Sequence, residues 1–266
     1  MAREHVQSAS RRLGLTLIEL LMVLVILIAL AGILVPLLPN IVGRGETASG
    51  ATSQTEIYKW LQAYEQLYLT YPSDWDSLTD GTQRITYVRG GGDLSLDSGL
   101  SAGEASALTS AGIARVQLMV EAPSGATPAP PAHKTFDPYQ NASYVTNGAA
   151  PAASGKFLVL TTSGQKSLNL GDGITSSGKF VVFGFGRRAT IVGKGVANAP
   201  VVFRDDAGKT PDKVYCRYGV VFQVALADGT AMDKARFVGV CNFKGGGITS
   251  SNDDLEEYYD LNRGGS

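Results

Sequence analysis

The residues of this chain that could do chemistry are few: two histidines, two cysteines, an acidic C-terminal run and one glutamate in an apolar surround. His5 lies near the start and His133 beside a Pro/Ala-rich stretch, a poor setting for a rigid general base. A Ser-His-Asp triad, a Cys-His pair or a multi-His zinc site therefore has almost no material. The segment "GFGRRATIVGKG" holds glycines and a lysine but lacks the G-x-x-x-x-G-K-[ST] spacing of a phosphate loop. It reads as two strands joined by a basic turn at Arg187-Arg188. Asp253, Asp254, Glu256, Glu257 and Asp260 are the right residue types for a hard cation, but their density suits a solvated acidic surface segment. No catalytic residue and no metal site is assigned, and enzymatic activity is not expected. Cys216 and Cys241 are compatible with one disulfide if this part of the chain leaves the cytoplasm, or with two buried thiols. A bridge closing that loop would be worth roughly 3 kcal/mol. The net charge of −1 gives no bulk electrostatic reason to expect nucleic acid as a partner.

The glutamate is Glu19, inside "LGLTLIELLMVLVILIALAG". The run Leu20 to Leu38 carries no charge, and only Gly32 and Pro36 interrupt its apolar character. Its length corresponds to about one bilayer core, roughly 28 Å as a helix. Arg3, Arg11 and Arg12 precede it, which favours an N-terminus held in the cytoplasm. A signal peptide is one reading, since Ala29-Leu30-Ala31 has the small-residue spacing of a cleavage site. A plain single-span anchor is another. Neither explains Glu19, because an acid near a helix centre costs about 2.5–3.5 kcal/mol on insertion scales and usually has a partner.

The stretch "RRLGLTLIEL" resembles the N-terminal signature of type IV prepilins and type II secretion pseudopilins. That resemblance implies cleavage after Gly14 by a prepilin peptidase and N-methylation of the new terminus, Leu15. Counted from Leu15, Glu19 is the fifth residue and Pro36 the twenty-second, both positions that the family fills in this way. Leu15 departs from the family's usual Phe but stays apolar. The implied role of Glu19 is assembly: its carboxylate pairs with the terminal amine of a neighbouring subunit and sets register in a helix bundle. A second, shorter likeness to major pseudopilins runs through "FDPYQNASYV" and "SGKFLVLTTSGQ". Asp137, Pro138, Tyr139 and Asn141 match, as do the strand from Phe157 to Thr161 and Gly164. Gln140 and Ala142 depart from it. The calcium-binding aspartates that follow in that family are not evident, since Gln165 and Lys166 come next, so no cofactor is assigned.

The elements required to carry such a site are an N-terminal helix and a sheet-forming head. Pro36 and Pro39 break the first helix. Helical spacing returns with Ile57, Trp60, Leu61, Tyr64, Leu67, Tyr68 and Tyr71, a packing stripe ended by Pro72. Gly-, Ser- and Pro-rich loops surround a short helix near 102–121. "SGKFLVL" recurs as "SGKFVVF" twenty-three residues later, which suggests neighbouring strands. Further strands are expected at 201–204, 214–226 and 235–241, with Val220, Phe222, Val224 and Leu226 on one face. A type I′ turn is expected at Asp228-Gly229.

The expected architecture is α+β and pilin-like. A leader covers residues 1–14, a transmembrane and assembly helix 15–38, and the rest of the helix with its turn 39–78. A β-rich periplasmic head covers 79–266, with the long helix packed on an antiparallel sheet. The expected function is a pseudopilus subunit for type II protein secretion. A type IV or competence pilin is the alternative, and a membrane-anchored periplasmic enzyme or binding protein a further one. The partners implied are the prepilin peptidase, other subunits of the filament and an inner-membrane assembly platform. The expected location is the bacterial inner membrane, single-pass, before release into a filament.

Overall fold

The computed structural model describes residues 17–34, 38–88, 90–121, 136–137, 142–144, 148–170, 177–202, 215–244, 247–250 and 255–256. The chain divides into two compact units, Met1–Arg44 and Gly45–Ser266. Gly14, Leu15 and Pro36 lie outside the described residues.

The N-terminal helical residues form two helices, α1 (Leu17–Leu34) and α2 (Leu38–Tyr68). Leu supplies seven of the eighteen residues of α1, with Ile, Val, Ala and Met between them, and neither Gly nor Pro falls before Gly32. The sequence of α2 is far more polar, and its apolar stripe begins only in its second half. Ile57, Leu61 and Tyr64 are buried there at i, i+4 and i+7. Leu67 and Tyr68, expected in the same stripe, are exposed. The helix stops at Tyr68, short of Pro72, because Leu69 takes a left-handed backbone (φ 58°) while its N–H still reaches Glu65 O.

The remaining elements follow in chain order. They are β1 (Trp75–Asp76), a 3-10 turn (Gly91–Asp93), β2 (Leu94–Leu96), α3 (Ala102–Ser110), β3 (Val116–Gln117) and β4 (Met119–Glu121). Then come β5 (Phe136–Asp137), β6 (Ala142–Tyr144), β7 (Leu158–Leu160), α4 (Thr162–Ser167), β8 (Gly178–Gly184), β9 (Tyr218–Leu226), β10 (Ala231–Lys244) and β11 (Gly247–Thr249). The main sheet has eight strands and centres on β8. Antiparallel β9 lies along one side of it (Phe183 opposite Val220), followed by β10 and β11. Along its other side β7 pairs first (Leu158 opposite Val182), leading on to β2. Beyond the end of β7 the same side takes β1 (Asp76 opposite Gly184), which pairs β3 in parallel. β4, β6 and β5 form a separate three-stranded sheet.

The two edges of this sheet approach each other. Asp93, just before β2, accepts the backbone N–H of Ile248 in β11 at 3.0 Å and the Ser163 hydroxyl of α4 at 2.6 Å. The result is a nearly closed, barrel-like sheet with a core on each face. Inside lie Leu94, Leu158, Leu160, Phe180, Val182, Val221, Cys241 and Ile248. Outside, Val181, Phe183, Val220, Phe222, Val224 and Phe237 pack with Ile57, Leu61 and Tyr64 of α2 and Leu108 of α3. β9 is therefore buried on both faces, where the alternation of Val220, Phe222 and Val224 suggested only one; Leu226, at its end, is exposed.

This corrects the expected fold class. In place of one long helix, half in the membrane and half lying on an open antiparallel sheet, the head is a nearly closed, barrel-like sheet on whose outer face α3 and the second half of α2 pack. Among the described residues no helix is long and apolar enough to cross a membrane. The eighteen residues of α1 rise about 27 Å, under the roughly 30 Å of a hydrocarbon core, and include Glu19. The transmembrane assignment, the pilin-like architecture and the single-pass inner-membrane location are corrected with it.

Two local expectations also change. The hairpin at Asp228-Gly229 joins β9 to β10 through a type I turn with Gly229 in the left-handed region (φ 85°), not through a type I′ turn. Gly229 N–H bonds Leu226 O, and Leu226 N–H bonds Thr230 O, the pattern of a three-residue loop with a glycine bulge. The helix expected near 102–121 ends at Ser110, and the residues after it form β3 and β4.

Candidate functional site

The feature with the clearest demand for a partner is α1. Its twelve large apolar residues, from Leu17 to Leu30, are each at least half exposed. Four in succession, Leu20, Leu21, Met22 and Val23, stand 62, 54, 65 and 52% exposed. At 100° per residue four consecutive positions cover the whole circumference, so α1 is apolar all round and not along one stripe. Covering each such side chain is worth on the order of 1 kcal/mol or more. Glu19 sits in the first turn of α1, where the positive end of the helix dipole favours a carboxylate.

The head carries two ionic clusters that the sequence reading missed. In the first, Lys179 of β8 lies 2.7 Å from Asp97 Oδ2 and 2.8 Å from Glu104 Oε2. Glu104 is placed by a capping box: its carboxylate accepts the Ser101 N–H at 2.8 Å, and Ser101 Oγ accepts the Glu104 N–H at 3.2 Å. Burial opposes ionisation of Glu104, but Lys179 and the Ser101 N–H outweigh it and hold the carboxyl below its usual range. Burial likewise opposes the Lys179 charge, and the two carboxylates overcome it and raise its pKa. An amine held protonated between two acids is a clamp between α3 and β8, not a nucleophile.

The second cluster explains Arg188. Its guanidinium donates to Gln117 Oε1 at 3.0 Å; Gln117 in turn donates to Asp74 Oδ1 at 2.8 Å, and Arg115 bonds Asp74 Oδ2 at 2.8 Å. Beside it, Tyr215 Oη donates to Asp76 Oδ2 at 2.9 Å in the fully buried β1. Gly186 is required here, because a Cβ at that position would overlap both Asp76 carboxylate oxygens. The turn at Arg187-Arg188 thus holds β1 and β3 against β8. The signal available in the sequence was "SDWDS", two acids flanking a tryptophan.

The remaining sequence-predicted residues are dispersed. Cys216 and Cys241 are both buried thiols. The register places Cys241 opposite Gly219, while Cys216 stands three residues before Gly219, ahead of the first residue of β9, and no disulfide joins the two. Burial pushes the Cys241 thiol up to about 12. Of the pseudopilin-like segment, Asp137 lies in β5, while Pro138 to Asn141 fall outside the described residues. β7 occupies the predicted strand, and Gly164 falls in α4, whose N-cap is Thr161. His5, His133, Asp253, Asp254, Glu257 and Asp260 also lie outside the described residues, and Glu256 is exposed. Among the described residues no group of three or more His, Cys, Asp or Glu is placed to hold a metal ion. A cavity of about 310 Å³ opens between α2 (Gln54, Thr55, Tyr58), β10 (Val238 to Val240), Leu168, Asn169 and Ser250.

Comparisons with protein-family models, with curated proteins and with solved structures give no match.

Proposed function

We propose that this chain is a pseudopilin-like structural subunit that assembles into a filament serving type II protein secretion. One observation carries the reading: α1 exposes apolar side chains on every side, with a single carboxylate in its first turn. A helix of that kind is stable in an assembly that surrounds it, and α1 helices of neighbouring copies supply such a surround. Processing after Gly14 by a prepilin peptidase would place a new amine at Leu15, four residues before Glu19, with methylation at Leu15. Glu19 then meets the amine of the next copy and fixes the stagger between subunits. The partners are the peptidase, further copies or related subunits, and an assembly platform. The clamp at Lys179 and the network at Asp74 hold a rigid head and need no substrate.

The test is N-terminal sequencing and intact mass of the protein from its native host, followed by electron microscopy of filaments formed by the native chain and by Glu19→Ala. A start at Leu15 and loss of filaments in Glu19→Ala are expected. A start elsewhere, or unaffected assembly in the variant, overturns the reading.

A further inference from the structure

The C-terminal end of α2 presents an apolar knob. Leu67 is 78% exposed, Leu69 is 76% exposed, and Tyr68 between them is half exposed. Leu69 stands where a helix usually ends on glycine, in a left-handed conformation that is costly for a branched side chain. A leucine that is both strained and exposed contributes little to its own subunit, and its side chain has a use only against something else. Two ammonium groups flank the knob. Lys194 lies 5.7 Å from the Tyr68 ring centroid, and Lys234 donates to Leu69 O at 3.2 Å. Against them stands Glu65, 4.0 Å from Lys234.

The same chain carries the complementary chemistry. Residues 253–261 read "DDLEEYYDL", five carboxylates interleaved with two leucines and two tyrosines and no base. Leu255 is itself exposed, as are Leu67 and Leu69, so Leu255 and the knob stay open within one copy. Two different, complementary patches on one chain make a head-to-tail contact, and repetition of such a contact builds an open filament. We propose that the lysine-flanked Leu67–Tyr68–Leu69 knob docks the acidic, apolar segment 253–261 of a second copy of this chain. The contact rests on the filament reading and adds to it a heterologous contact between the globular parts of neighbouring copies that is separate from packing of α1.

The experiment uses two full-length chains, one carrying Leu67→Cys and the other Leu255→Cys, mixed under filament-forming and oxidising conditions; the native cysteines are buried. A disulfide-linked dimer is expected in the mixture and in neither chain alone. It should fall at least tenfold when the first chain also carries Lys194→Glu and Lys234→Glu. Leu69→Gly, which relieves the backbone and removes the side chain, should also reduce it. Filaments without that dimer overturn this contact and leave the filament reading standing; absence of both overturns both. An internal bridge in a Leu67→Cys, Leu255→Cys double variant, running as a monomer, assigns the segment to its own copy and overturns the proposal.

Discussion

Asp93 and Ile248 join the two edges of the main sheet: the carboxylate preceding β2 accepts the backbone N–H of β11 at 3.0 Å. The same side chain takes the Ser163 hydroxyl at 2.6 Å through its other oxygen, so one residue gathers β2, β11 and α4. Charge-assisted hydrogen bonds of this kind contribute about 1.5–3 kcal/mol each. Asp93→Ala is expected to lower the stability of the head by about 2–4 kcal/mol and to speed hydrogen exchange at Ile248. Asp93→Asn, which keeps one acceptor, should lose roughly half as much. Urea unfolding of the two variants measures both effects, and equal losses would assign the contribution to charge and not to the two-point contact.

The pattern behind β7, β8, β9 and β10 was legible because β-branched and aromatic residues alternate there between clear turns. The echo "SGKFLVL"/"SGKFVVF" indeed marks two paired strands, with Leu158 opposite Val182. Closure of the sheet was not legible. It depends on Asp93, a lone acid in "RGGGDLSL", where composition argues for a loop, and on a hydrogen bond between residues 155 positions apart. The stripe on α2 failed at Leu67 for a geometric reason: ten residues beyond Ile57 it lies about 80° off the buried face. The two ionic clusters were hidden because each joins residues far apart in sequence, Asp97 and Glu104 with Lys179, or Asp74 with Arg115, Gln117 and Arg188. The helical character of the apolar, glutamate-bearing segment was legible, since it is local, but its assignment as a membrane span was not borne out.

The clamp at Lys179 gives the head a defined pH window. Glu104 is held below its ordinary value of 4.5, so its contribution is present above that pH and lost as pH falls through the lowered pKa. Lys179 is raised above 10.5, so its contribution is present below that pH and lost as pH rises through the raised pKa. Lys179→Met leaves two carboxylates without their cation and should cost about 2 kcal/mol at pH 7. The difference between native and variant chains should be flat from about pH 5 to 10 and shrink on both sides of that window. Thermal unfolding across pH reads this directly; a difference that grows in acid would remove Glu104 from the clamp.

Cys241 should be chemically silent in the folded head. Burial raises its pKa from 9.0 to about 12, so the thiolate that reacts with alkylating reagents is scarce at pH 8. Labelling by iodoacetamide is expected to be at least a hundredfold faster in guanidinium than in buffer. The linkage has the opposite sign to that of Glu104: the native state keeps the proton, so stability is retained below about pH 9 and lost as pH rises toward 12. Rapid labelling of the native protein would place Cys241 outside the inner core.

Gly186 tests the second ionic cluster. Gly186→Ala drives a methyl into both oxygens of the fully buried Asp76 carboxylate that Tyr215 holds. Overpacking a buried site typically costs 1–3 kcal/mol, and displacing a buried carboxylate from its donor adds about as much again. A loss of about 3–5 kcal/mol is expected, while Gly193→Ala, where nothing lies within 4 Å, should cost only the strain of its positive φ. Gly186 itself carries no positive φ, so a loss at Gly186→Ala no larger than that at Gly193→Ala would show that Asp76 yields to the added methyl at little cost.

Leu69 separates what stabilises one subunit from what joins two. A left-handed conformation costs a non-glycine residue about 1–2 kcal/mol, and glycine gives back part of that gain through its freer unfolded chain. Because Leu69 is mostly exposed, Leu69→Gly sacrifices little packing. The isolated subunit should therefore gain about 0.5–1 kcal/mol, a rise of about 1–3 °C in melting temperature for a head of this size. Assembly should move the other way, with a higher concentration needed for filaments to form. A residue serving only its own fold would shift both in the same direction. Circular dichroism melting of the subunit and sedimentation of filaments, made on one preparation, distinguish the two cases.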